Sequence, residues 1–188
     1  EVPFHKVLWL MERRGVTADY GFLKQLQGPM EEEMLKIEQA FSKEAGRVIN
    51  LNSVNDVRWF FIDHLQKNVV KMTKGGKTGI KKASTDEEVL KHWAEEEGDE
   101  WAQVLMTHRG ISKIHGTYVT GLQEWIDGHF RIHTTLNQHG TVSGRLSSKD
   151  PNLQNIPRTS EDAFTIREAF IAGFKKRLVV ADYAQLEM

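Results

Sequence analysis

The chain has 188 residues, with 25 Lys and Arg against 26 Asp and Glu, a formal net charge of −1, 39% hydrophobic residues and 27% charged ones. That balance excludes a wholly disordered chain and a global cationic field, so any binding to a polyanion has to come from local patches. Cysteine is absent, which removes disulfides and thiolate metal sites and fits an intracellular protein.

The opening EVPFHKVLWLMERRG is amphipathic and charged, without the apolar core and small-residue cleavage site of a signal peptide. Phe4, Val7, Leu8, Leu10 and Met11 share one helical face, and Gly15 ends that helix. A second helix follows, with Leu23, Leu26, Met30, Met34, Ile37 and Phe41 at three- and four-residue steps up to Gly46, interrupted near Gly28 and Pro29. Asn52 or Ser53 then serves as N-cap of a third helix carrying Trp59, Phe60, Ile62 and Leu65.

At residue 67 the composition changes. The stretch KNVVKMTKGGKTGIKK carries Lys67, Lys71, Lys74, Lys77, Lys81 and Lys82, three glycines and no acid, and reads as a flexible basic tip. The helix after it, in STDEEVLKHWAEEEGDEW, starts with Ser84 and Glu87 at capping-box spacing, and its acids offset the lysines. From Trp101 the apolar positions Val104, Leu105, Ile111, Ile114, Tyr118 and Leu122 predict a long helix to about Trp125, with Gly110 and Gly116 counting against it.

Beyond it, HFRIHTTLN alternates as a strand does, DAFTIREAF predicts a short helix, and RLVVADY reads as a buried strand ending in a carboxylate. No stretch of about 18 apolar residues is present to form a membrane span. Opening without Met and stopping just after an apolar run, the chain reads as a piece of a longer protein. The expected class is mainly α with a small α+β part: a helical excursion from about residue 21 to 125, flanked by a mixed lobe.

Two places carry candidate chemistry. Asp182 closes the apolar run of residues 178–181, where a carboxylate is costly unless paired or metal-bound, and Glu187 stands five residues on. In TVSGRLSSKDPNLQNIP, Arg145 brings a fixed fork of donors, and Asn152, Gln154 and Asn155 bring amides that both donate and accept. That set suits a polar, anionic partner. His129 and His133 lack an acidic or Cys companion at zinc spacing, so no metal role is assigned to them, and the tryptophans at helical spacing read as core.

The run TVSGRLSSKDPNLQNIP, then IREAFIA, then VVADYAQLEM, resembles the DNA polymerases of family A, with their T-x-T-G-R-L-S-S-x-x-P-N-L-Q-N-I-P, R-x-A-F and D-Y-S-Q-I-E-L-R patterns. Upstream, MERRGV, INLNS, KTGIKKAST and TYVTGL are similar to the thumb region of the same family, so the resemblance covers essentially the whole chain. It implies a right-hand polymerase fragment: residues 1–20 starting the palm, 21–125 forming the thumb, and 126–188 the first part of the palm. The implied activity is template-directed addition of deoxynucleotides to a primer 3′-hydroxyl, with primer-template DNA, a dNTP and the remaining palm and fingers as partners.

By that resemblance, Asp182 and the carbonyl of Tyr183 hold Mg²⁺ in a two-ion phosphoryl transfer, the second Asp ligand lying outside this chain. Glu187 excludes a ribose 2′-hydroxyl, and Tyr183 and Gln185 line the same nucleotide region. Arg145 reaches the minor groove at the primer terminus, where acceptors look alike for all base pairs, and Asn152, Gln154 and Asn155 contact primer and template nearby. Lys74, Lys77, Lys81 and Lys82 track phosphates without reading sequence.

Ala184, Leu186, Met188 and Ser143 depart mildly from the family's Ser, Ile, Leu and Thr. The fingers helix and second catalytic Asp are missing, so the chain alone is expected to be inactive. A self-standing DNA-binding thumb module is one alternative. A single-subunit RNA polymerase is another, against which Glu187 counts. The expected location is the cytoplasm of a bacterium or phage-infected host, or a DNA-containing organelle.

Overall fold

A computed structural model describes residues 2–75, 79–157 and 165–181 of the chain. Helix α1 (Val2–Arg14) ends at Gly15, whose φ of +62° is a conformation that costs a side chain with a Cβ, and which packs against the Ile132 carbonyl. Strand β1 (Val16–Thr17) follows, then α2 (Tyr20–Ala45), ended by Gly46 at φ +64°. Contrary to the expected interruption, α2 runs unbroken through Pro29. Proline removes one backbone donor there, while Leu23 on one side and Met30 on the other are fully buried. Side-chain burial outweighs the single lost bond.

Ser53 caps α3 (Val54–Arg58), its hydroxyl accepting from the Asp56 amide at 3.3 Å, and a π-helical stretch (Trp59–His64) continues the helix. The next helix, α4 (Glu87–Lys91), starts one step differently from its capping-box spacing. Asp86 is the N-cap, its carboxylate accepting from the Val89 amide at 3.2 Å, and the Ser84 hydroxyl accepts instead from the Asp86 amide. A carboxylate is the stronger acceptor at the positive end of a helix, so it takes the cap. Helix α4 passes into a π-helical stretch (His92–Glu96); α5 (Glu100–Ile114) passes into another (His115–Thr120) and then into α6 (Gly121–Gln123). The long helix thus forms through Gly110, and the change in winding begins next to Gly116.

The predicted strand in HFRIHTTLN is two short ones, β2 (Arg131–Ile132) and β3 (Thr135–Asn137), with different partners. Strand β2 pairs antiparallel with β1, Val16 opposite Ile132, while β3 pairs antiparallel with β4 (Ser147–Lys149), Leu136 opposite Ser148. RLVVADY is corrected more strongly. Residues 177–181 form no strand, and Val179 and Val180 are 87% and 95% exposed. A strand is held by a ladder partner, and no described segment pairs with this one.

The chain divides into two compact units, residues 1–27 with 115–188, and residues 28–114. The first has its core in Leu8, Ala18, Leu23, Val119, Leu122, Ile132, Ile166 and Ala169. The apolar face expected of α1 is only partly used there, since Leu8 is buried while Phe4, Val7, Leu10 and Met11 are exposed. The second unit is built on aromatic packing. Phe41 lies 4.7 Å from Phe60 and 4.8 Å from Trp101, and Trp93, fully buried, stacks on Phe61 at 5.0 Å. Of the tryptophans read as core, Trp9 and Trp125 are instead about half exposed, at 47% and 46%. None of the described helices is long and apolar enough to cross a membrane.

Candidate functional site

In the first unit, Arg145 and the three amides flank strand β4 from opposite ends. Arg145 follows Gly144, whose φ of +73° turns the chain, and the Thr141 hydroxyl donates to the Arg145 carbonyl at 2.7 Å, closing the turn. The Arg145 residue is exposed. Asn152, Gln154 and Asn155 lie together in one loop beyond β4, all three exposed. The Asn152 side chain accepts from the Gln154 amide at 3.0 Å, so this residue shapes the loop as well as facing solvent.

A buried hydroxyl pair seats the start of that loop. Ser148, 5% exposed, lies 2.6 Å from the Thr134 hydroxyl and accepts from the Leu153 amide at 3.0 Å; Thr134 also donates to the Pro151 carbonyl at 2.7 Å. Sequence reasoning had passed over both residues. The alternation of β3 and β4, which puts Ser148 on an inward position, is the signal that finds them.

His133 has a structural role. Its Nδ1 meets the Glu12 carbonyl at 2.7 Å and its Nε2 the Asp127 carboxylate at 3.1 Å, tying the end of α1 to the β2 region. The Glu12 carbonyl and the Asp127 carboxylate together raise its pKa above the ordinary histidine value. Asp127 in turn sits below the usual carboxylate range, chiefly through the Arg131 amide. A cavity of about 650 Å³ opens beside this tie, walled by Val7, Leu10 and Met11 of α1 and by Arg14 and His129. Among the described residues no group of three or more His, Cys, Asp or Glu is arranged to hold a metal.

In the second unit the lysine-rich segment separates into a fixed base and a distal part. The Thr73 amide donates to the Lys82 carbonyl and the Ser84 amide to the Lys71 carbonyl, each at 2.8 Å, so the base is a pinned antiparallel turn rather than a loose loop. Lys67 pairs with Asp99 at 2.7 Å and Glu97 at 3.1 Å, and Lys71 with Asp86 at 3.0 Å and with Glu88. Burial pulls the Lys67 pKa down, but its bonds to Asp99 and Glu97 outweigh that and raise it; Lys71 is raised by Glu88 and Asp86. Lys74, Lys81 and Lys82 are exposed and have no described acidic partner at ion-pair distance. Lys77, Asp182, Tyr183, Gln185 and Glu187 lie outside the described residues.

A sequence model of DNA polymerase family A matches residues 21–188. DNA polymerase I of Synechocystis sp. is 39% identical over 100% of this chain and 19% of its own length, and the thermostable DNA polymerase I of Thermus thermophilus is 37% identical over 100% and 22%. The chain therefore spans about a fifth of the length of these relatives. Among solved structures, the POL domain of Pol1 from M. smegmatis, in complex with DNA primer-template and dNTP, superposes with a TM-score of 0.81 at 36% identity, over 93% of this chain and 30% of that one. With the family pattern matched over most of its length and the fold shared at that identity, the chain belongs to DNA polymerase family A.

Proposed function

We propose that this chain is part of a template-directed DNA polymerase, adding deoxynucleotides to a primer 3′-hydroxyl. The observation that carries the reading is the likeness, over 93% of the chain, to a polymerase domain solved with primer-template DNA and dNTP. In this reading residues 21–125 act as the thumb and residues 1–20 and 126–188 as the first part of the palm. The remaining palm and the fingers come from the rest of an intracellular polymerase, without which the chain is inactive.

Arg145 reads the geometry of the terminal base pair from the minor groove, where a donor meets an acceptor whichever pair is present. Asn152, Gln154 and Asn155 hold the primer and template strands beside it. The distal lysines Lys74, Lys77, Lys81 and Lys82 neutralise phosphates along the duplex. Asp182 and the Tyr183 carbonyl are hard oxygen donors of the type Mg²⁺ takes. When bound, two such ions lower the pKa of the 3′-hydroxyl and offset charge on the departing pyrophosphate. Glu187 closes the sugar pocket against a 2′-hydroxyl, with Tyr183 and Gln185 beside it.

The test is magnesium-dependent primer extension by the full-length polymerase that contains this chain. Asp182→Asn should abolish extension while primer-template binding persists, and Glu187→Ala should admit ribonucleotides. Extension that survives Asp182→Asn removes the catalytic role of that carboxylate. A parent protein that binds primer-template but extends nothing makes a DNA-binding module the better reading.

A further inference from the structure

The amide loop is held by more than its own turn. Arg167, in the 3₁₀ turn Ile166–Ala169, donates from Nε to the Pro157 carbonyl at 2.9 Å and from Nη2 to the Ile156 carbonyl at 3.0 Å. The Tyr118 hydroxyl donates to the Asn155 carbonyl, and Ser148 accepts from the Leu153 amide. Four backbone groups between residues 153 and 157 are thus tied by side chains from outside the loop. Gln154 and Asn155 are left exposed on a backbone with few remaining degrees of freedom.

The turn that carries Arg167 is itself anchored. Ile166 and Ala169 are 2% and 0% exposed, the Asp19 amide donates to the Ala169 carbonyl at 2.7 Å, and the Ile171 amide donates to the Thr17 carbonyl at 3.1 Å. A rigid fork on a fixed base can hold two consecutive carbonyls at once. A lysine, a point charge on a flexible stem, has donors enough but no fixed fork to hold the two in one geometry.

We propose that Arg167 is a positioning residue for DNA binding: its fork, with Tyr118 as second clamp, fixes the backbone of residues 155–157 so that the Gln154 and Asn155 side chains meet the primer terminus already ordered. The proposal rests on the reading of those amides as DNA contacts. Binding gains from such an arrangement because the loop need not be ordered at the moment of contact.

The test uses the full-length polymerase with Arg167→Lys, Asn155→Ala, Gln154→Ala and the double variant Arg167→Lys with Asn155→Ala, each measured for primer-template Kd and for amide exchange at residues 153–155 without DNA. Arg167→Lys should speed that exchange and weaken primer-template binding roughly tenfold, the scale of one charge-assisted hydrogen bond. Asn155→Ala should weaken binding similarly, and the double variant no more than either alone, since an unclamped Asn155 no longer contributes. Unchanged exchange or unchanged affinity in Arg167→Lys, or full additivity in the double variant, overturns the positioning role and leaves the polymerase reading standing. If Asn155→Ala and Gln154→Ala leave binding untouched, the amides are not DNA contacts, and the positioning role falls with them even where exchange speeds up.

Discussion

His108 shows how one buried side chain makes a fold pH-dependent. It is fully buried, its Nε2 lies 3.3 Å from Glu38, and its Nδ1 has no hydrogen-bond partner among the described residues. The neutral ring with its proton on Nε2 satisfies that geometry, whereas a second proton on Nδ1 has no acceptor to meet. Burial accordingly lowers its pKa, with Glu38 opposing and the Arg109 charge adding to the lowering. The sign follows from linkage. The unfolded chain takes up this proton near pH ~6.5 while the folded one resists it, so stability is lost as pH falls below that value. His108→Leu should remove this dependence, and its unfolding free energy should gain on the parent's as the pH is lowered from about 7 to about 5. Parallel urea midpoints across that range mean that His108 is not the group responsible.

At the scale of elements, the cap of α4 falls to Asp86 and not to Ser84, where the capping-box spacing puts it. Asp86 bonds the Val89 amide and pairs with Lys71, whereas Ser84 reaches only the Asp86 amide. The Lys71 bond chiefly holds the Asp86 carboxyl below the usual carboxylate range. Asp86→Ala should therefore cost about 0.5–2 kcal/mol in chemical denaturation, and Ser84→Ala clearly less; the reverse order would restore the capping box. Helices with strong apolar periodicity, such as α2 from Leu23 to Phe41, were legible because burial repeats at the helical period whatever Pro29 does locally. Short strands were less so. His133 and Thr134 alternate as strand residues do, yet one bonds Glu12 and Asp127 and the other Ser148 and Pro151, and those bonds divide HFRIHTTLN into two ladders. Leu178, Val179 and Val180 have the composition of a buried strand, but composition does not supply a ladder partner. In the candidate site, Arg145 and the amides stood out by residue type, Thr134 did not, and Ser148 and Arg167 stood inside quoted motifs with no role assigned, because they act on backbone atoms that a motif does not display.

Over the whole molecule, a net charge of −1 conceals a segregation between lysines paired within the protein and lysines exposed to solvent. Lys67 and Lys71 are held by Asp99, Glu97, Asp86 and Glu88, so their charge is already balanced inside the protein. Lys74, Lys81 and Lys82 have no such described partner. A cation neutralised by its own protein displaces few counterions from a duplex, whereas an unpaired one displaces nearly one for each phosphate it meets. In the full-length polymerase the slope of log K against log salt for primer-template binding should therefore fall by about 0.9 for each phosphate that Lys74→Ala, Lys81→Ala or Lys82→Ala leaves without its cation. Lys71→Ala should leave the slope as it is, although affinity drops as Asp86 and Glu88 are freed to repel the backbone. If Lys71→Ala lowers the slope as much as the distal substitutions do, its ion pairs open on binding and the whole lysine segment acts as one phosphate-binding surface. If none of the four lowers it, the basic tip does not touch DNA.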